Sequence, residues 1–185
     1  LHAPFSASQP HWLRYDDDKL IERYRNKQAA EMGTRLHAWA KETIDLGIKQ
    51  PRSSKTLYAY VNDAIGFKMD TEVVLFYSER FFGTADAICF REYKDKDGTR
   101  KKQLRIHDLK TGKEPAKIEQ LYVYAALFCL EYRVKPFEID IELRIYQNDE
   151  VLYDNPSADI IIEVMDQIVH ADKILFEHDR LMMEV

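Results

Sequence analysis

The chain has 185 residues, 45% of them hydrophobic, an ordinary content for one globular domain around one core. No apolar run approaches the roughly 18 to 20 residues that cross a bilayer, so no membrane partner is expected. The formal net charge of −5 excludes a uniformly basic surface, though it leaves local clusters of Lys and Arg free to meet an anion.

In chain order, Asp16 to Asp18 suit the first turn of a helix that runs with interruptions through Ile44 and stops near Gly47, Gly33 marking either a break or a close helix packing. A second helix is expected from Ser54 to Ile65, capped by Ser53 or Ser54 and ended at Gly66. Together they make an N-terminal helical part over about 16–66. Three strands follow, Asp70 to Tyr77, Phe81 to Tyr93 and Lys102 to Lys110, the last two joined by the turn Asp95-Lys96-Asp97-Gly98. Pro115 suits a helix start, and Leu121, Ala125 and Phe128 keep helical spacing up to Tyr132 before Pro136 blocks continuation. Glu138 to Tyr146 alternates Ile139, Ile141, Leu143 and Ile145 as a fourth strand, closing a core of about 70–147. The helical crossover lets that strand lie parallel to the third. A long amphipathic helix is expected from Ser157 to Met182, with Ile160, Val164, Ile168 and Leu175 inward. No repeat or linker divides residues 1–185, so a single domain is expected.

Cys89 and Cys129 sit in apolar stretches without metal-binding spacing and read as buried free thiols. The chain starts at Leu1 with no charged-then-apolar leader, which makes a cytoplasmic location the expectation.

The chemistry concentrates in Ile106-His107-Asp108-Leu109-Lys110-Thr111-Gly112. Side chains alternate along a strand, so Asp108 and Lys110 project from one face, roughly 6.6 Å apart at about 3.3 Å per residue, while His107 faces the other way. A carboxylate and an ammonium in one pocket can hold a hard cation and steady a phosphoryl oxygen. Asp86 is a second isolated acid, on a strand whose expected faces are Thr84, Asp86, Ile88 and Phe90 against Ala85, Ala87 and Cys89. Isolated acids among apolar residues call for partners. Lys113 and Lys117 follow the site closely, and Arg14, Arg23, Arg25, Lys27 and Arg35 gather near the N-terminus; these are candidates for phosphate contacts. Gln120 and Tyr124, four residues apart, share a helix face.

Gly83-x-x-Asp86, then Asp108-x-Lys110-Thr111-Gly112, then Gln120-x-x-x-Tyr124 resembles the PD-(D/E)XK nuclease superfamily in its RecB-like branch of phage-type and CRISPR-associated nucleases. Upstream, Gly33-x-x-x-His37 is similar to that branch's histidine motif, and Phe5-Ser6-Ala7-Ser8 with Trp12-Leu13 to a leader seen before its first helix. The resemblance covers roughly residues 30 to 147. It implies an α/β fold with a restriction-endonuclease-like α-β-β-β-α-β core, a mixed sheet flanked by helices. It implies Mg²⁺ or Mn²⁺ held by Asp86, Asp108, the backbone carbonyl of Leu109 and His37. Glu72 would bind a second ion through water or orient the attacking water, Lys110 would stabilise developing charge, and Gln120 and Tyr124 would contact DNA or the lysine. Some relatives carry an iron-sulfur cluster on four cysteines; with two cysteines, none is expected here.

The expected activity is metal-dependent hydrolysis of DNA phosphodiesters, most simply by an exonuclease of phage or bacterial recombination and repair. The alternatives are an endonuclease subunit of a larger DNA-processing complex and a non-catalytic nucleic-acid-binding module of the same fold. DNA is the implied partner, with room for a recombinase, an annealing protein, a helicase or further copies of the chain.

Overall fold

The computed structural model describes residues 3–183, so positions 1, 2, 184 and 185 of the expected 1–185 domain lie outside the described residues. A short 3-10 turn, Pro10–Arg14, leads into α1 (Asp17–Asp45) and α2 (Thr56–Gly66). Next come β1 (Asp70–Ser78), β2 (Phe81–Lys94), β3 (Arg100–Leu109), α3 (Glu119–Tyr132), β4 (Asp140–Gln147), β5 (Glu150–Asp154) and α4 (Ala158–Met183). The five strands form one mixed sheet in sequential order. The β1/β2, β2/β3 and β4/β5 pairs are antiparallel, and β3/β4 is parallel, as a helical crossover through α3 permits. Among the described residues no helix is long and apolar enough to cross a membrane.

Helices cover both faces. Leu121, Ala125 and Phe128 of α3 and Ile161 and Ile168 of α4 pack on Leu75, Leu104, Ile106, Ile141, Leu143 and Ile145 of the sheet. On the opposite face Ala40 and Ile44 of α1 and Tyr60, Val61 and Ala64 of α2 meet Ala87, Cys89, Leu109 and Tyr146. The central strands are therefore apolar on both sides. Both cysteines are buried free thiols.

The structure corrects several boundaries. α1 runs through Gly33 without a break, capped by Asp16, whose carboxylate accepts the Lys19 N–H at 2.8 Å. α2 begins at Thr56 rather than Ser54; Ser53 bonds the Lys55 amide in the preceding turn instead of capping the helix. α3 begins at Glu119 and not at Pro115, because residues 112–116 are bonded as a loop to Gln147. The fifth strand was not expected. Asn148 and Asp149 both adopt positive φ (51° and 61°), a two-residue hairpin turn that short polar side chains tolerate. In α4 the buried positions are Ile161 and Ile168, whereas Ile160 and Leu175 keep about 40% of their surface exposed (38% and 42%).

One irregularity shapes the site. Glu72 has φ 49° and interrupts the β1/β2 ladder between the pairs Thr71–Ala87 and Val73–Ala85. Past it the strands exchange faces: Ala85 packs in the α3/α4 core with Ile88, while Ala87 and Cys89 pack in the α1/α2 core. The simple alternation expected for this strand therefore fails at Asp86, the residue opposite Glu72.

Candidate active site

Asp86 and Asp108 lie where β2 and β3 run together, one step beyond the last pair of their ladder, Ala87–His107. The Leu109 N–H donates to Asp86 Oδ2 at 2.9 Å, tying the first acid to the backbone just after the second. Asp108 is 2% exposed. Burial, reinforced by the neighbouring Asp86 charge, pushes its carboxyl up to about 6, against the opposing pull of Lys110 and His37. Tyr60 is buried too, and burial followed by the field of Asp86 and Asp108 raises its hydroxyl above the ordinary range.

Lys110 extends from the end of β3, its backbone N–H bonded to the Tyr146 carbonyl at 2.9 Å. Its Nζ lies 2.9 Å from Asp108 Oδ2 and 3.2 Å from Oδ1. The ammonium's hydrogen bond goes to Oδ1, which leaves the buried Oδ2 close to positive charge but without a hydrogen-bond donor. Nζ also donates to Gln120 Oε1 at 2.9 Å, and Gln120 Nε2 donates to the Tyr124 hydroxyl at 3.2 Å. Asp108, Lys110, Gln120 and Tyr124 thus form one chain of contacts from β3 to α3.

The two motif glycines have steric reasons. A Cβ on Gly83 would stand 2.7 Å from Cε1 of Tyr124, so the ring lies directly on β2 only because that position has no side chain. A Cβ on Gly33 would stand 2.6 Å from Thr111 Oγ1, so α1 approaches the loop after Lys110 as closely as a helix can. That approach brings His37 in from α1, with Nδ1 3.6 Å from Asp86 Oδ2. A cleft of about 640 Å³ opens between them, lined by Asn26, Ala30, Gly33, Thr34, His37, Glu72 and Thr111 among others.

Among the described residues no three His, Cys, Asp or Glu side chains converge as a ready metal cage. The donor set still fits a hard divalent cation, which takes one or two carboxylates and keeps several waters. The unbonded, buried Oδ2 of Asp108 and the adjacent Asp86 carboxylate are that kind of donor. Leu109 could add only its carbonyl, since its side chain is core at 2% exposure. Imidazole nitrogen of His37 would favour Mn²⁺ over Mg²⁺.

The other expected contacts are scattered. Lys113 and Lys117 are exposed in the loop between Lys110 and α3, Arg14 is exposed at the end of the 3-10 turn, and Arg35 is exposed on α1 but does not line the cleft. His107 is fully buried behind the site, between Glu142 and Tyr146, as a packed residue. Sequence reasoning missed Tyr60 and Gln147. Tyr60 reads as one more apolar helix position, while Gln147 ends its strand, and a long amide just before an Asn-Asp turn was the available signal.

Comparison of the chain with protein-family profiles, with curated proteins and with solved structures gives no match.

Proposed function

We propose that this chain is a divalent-metal-dependent deoxyribonuclease of the PD-(D/E)XK superfamily, in its RecB-like branch, acting most simply as an exonuclease in phage or bacterial DNA recombination and repair. The observation that carries the reading is the contact of Lys110 with Asp108 beside Asp86, with one Asp108 oxygen buried and left without a hydrogen bond. The element order supports it: helix, three antiparallel strands, helix and a parallel fourth strand, within an α/β fold whose mixed sheet is covered by helices.

In this reading Asp86, Asp108 and the Leu109 carbonyl, with His37, hold Mg²⁺ or Mn²⁺. A bound ion of this kind supplies charge neutralisation at the phosphate and a water of lowered pKa. Lys110 then meets the developing phosphoryl charge, held in place between Asp108 and Gln120, where its ammonium acts more strongly than in bulk water. Tyr124, packed on Gly83, fixes the far end of Gln120. Glu72 stands in the cleft wall beside His37, where it orients water or a second ion.

The test is incubation with linear and covalently closed DNA in Mg²⁺, Mn²⁺ and EDTA. Metal-dependent loss of linear DNA supports the proposal, and cutting of closed circles would turn it toward an endonuclease. Intact substrates in both metals, with protein that still binds DNA, would leave the non-catalytic module.

A further inference from the structure

Away from the paired acids, the N-terminal segment folds back on α1 and builds a cup of aromatic rings and cations. Phe5 stands 6.2 Å from Trp12 and 6.3 Å from Tyr24, the second pair inclined by only 25°. Lys27 places its ammonium 5.7 Å from the Phe5 ring centre and donates to the Pro4 carbonyl. The cup holds about 180 Å³, with His11, Arg23 and Lys27 at its wall. Among the described residues no carboxylate lines it, although Asp16, Asp17 and Asp18 are near in sequence. Cationic groups set among ring faces, with no described carboxylate in the same wall, match a ligand that offers π-faces and negative charge together.

We propose that this cup binds a single-stranded DNA segment, one base stacking on the Phe5 and Trp12 rings that line it while Arg23 and Lys27 take the flanking phosphates. Every base has a stackable face, so the site needs no sequence; a duplex keeps its bases paired inside and cannot offer one. The cup is joined to the catalytic cleft by α1. Arg23, Lys27, Ala30, Thr34 and His37 follow one another at steps of three or four residues and so share one helix face, and the last three line the cleft. Ten residues separate Lys27 from His37, about 15 Å at 1.5 Å per residue, a reach of a few nucleotides. The proposal rests on the nuclease reading in taking this strand as an extension of that enzyme's substrate.

The chain has two tryptophans, so Trp39→Phe leaves Trp12 as the sole reporter. Titration of this full-length variant in EDTA with a short oligo(dT) should quench Trp12 emission, and a blunt duplex of equal length should not. Separately, anisotropy of a labelled oligo(dT) should show the double variant Arg23→Gln, Lys27→Gln weakened at least about tenfold, its log affinity against log salt shallower by about 1.4 for two lost phosphate contacts. Both side chains are exposed, but Lys27 also donates to the Pro4 carbonyl, so Arg23→Gln alone is read beside the double variant and its slope should be shallower by about 0.7. No oligonucleotide binding, binding without quenching, equal quenching by duplex, or an unchanged salt slope would each overturn the proposal. Cleavage in Mg²⁺ or Mn²⁺ is read independently: quenching without cleavage keeps the cup and removes the nuclease reading, and cleavage without quenching removes the cup alone.

Discussion

Asp86 Oδ2 accepts the backbone N–H of Leu109 at 2.9 Å, so the acid of β2 is locked to the peptide directly after the acid of β3. The bond holds two carboxylates together that would otherwise repel, and it separates a structural role of Asp86 from a chemical one. Asp86→Asn keeps an acceptor for that N–H and should fold with nearly unchanged stability, while Asp86→Ala should lose about 1 to 3 kcal/mol by orphaning the amide. Both should lose DNA cleavage by about 10²-fold or more. Urea unfolding and a cleavage assay on the same preparations check the split; an Asn variant with more than a tenth of parental activity would count against Asp86 as a ligand.

Asp108 is buried with one oxygen unbonded, and its carboxyl is pushed up to about 6. A carboxyl raised in the folded state favours folding when protonated, so the metal-free protein should gain stability as pH falls from about 6 toward the ordinary 3.8, and lack it at pH 8. Asp108→Asn removes the buried charge and should stabilise the protein in EDTA at pH 8 by about 1 to 2 kcal/mol, while abolishing cleavage. Thermal unfolding of both proteins in EDTA reads this directly. A lower midpoint for the Asn variant would show that the Lys110 contact outweighs the burial of charge.

Lys110 tests the other half of the pair. Lys110→Ala should reduce cleavage by about 10²-fold or more, as loss of a charge-stabilising group does. It also strips Gln120 Oε1 of its donor, so Lys110→Arg, which restores positive charge but not the compact ammonium, should recover little. Single-turnover rates at saturating protein separate this from weakened DNA binding, and a Lys110→Ala rate within tenfold of the parent would remove Lys110 from the chemistry.

The sequence carries the sheet and the site in different measure. Period-two apolar patterns in β2 to β4 and the Asp-x-Lys triplet at the end of β3 depend on local alternation, and local alternation is visible in one dimension. Glu72 is different: nothing in Asp70-Thr71-Glu72-Val73 announces a left-handed residue, and the face exchange it imposes on Ala85 and Ala87 arises only once two strands are paired. The α3 start failed for a similar reason, since Pro115 offers a good first turn but Gln147, 32 positions later, holds that segment as a loop. In α4 the helix was legible, yet its inward stripe is fixed by α3 and by the pairing of Arg80 with Asp172 and Asp179, and not by hydrophobicity alone.

Behind the site, Glu142 is clasped by Arg105, Arg144 and His107. Burial alone would raise its carboxyl, but the contacts with His107, Arg144 and Arg105 outweigh it and hold the group down to about 2. A depressed carboxyl contributes stability that is present above its ordinary 4.5 and lost as pH falls toward 2. Burial lowers His107, so it also resists protonation and adds an acid-side loss that begins below 6.5. Glu142→Gln, which leaves Arg105 without an anion while Arg144 keeps Asp63 at 3.0 Å, should cost about 3 kcal/mol at pH 7. The gap to the parent should narrow below pH 4.5. Urea midpoints from pH 7 to 3 give the curve, and parallel curves for the two proteins would mean that Glu142 does not supply the acid-sensitive stability.

Gln147 places the loop that carries Lys113 and the cleft-lining Thr111 and Gly112. Its Nε2 donates to the carbonyls of Gly112 at 2.6 Å and Glu114 at 2.7 Å, and its Oε1 accepts the Ala116 N–H at 2.9 Å. One amide therefore satisfies three backbone groups of a single exposed loop. Gln147→Leu removes all three bonds, while Gln147→Glu keeps the acceptor for Ala116 and loses both donors. Stability should change little, by about 1 kcal/mol, because the loop is solvated and water can replace the bonds. Hydrogen exchange at Ala116 should accelerate strongly in the Leu variant and less in the Glu variant. Asp86, Asp108 and Lys110 are fixed from β2, β3 and α3, so the rate of the bound complex should hold while KM for DNA rises several-fold. Unchanged KM together with unchanged exchange at Ala116 would show that the loop keeps its place without Gln147; a fall in kcat at constant KM would mean that the loop acts on Lys110 itself and not on DNA.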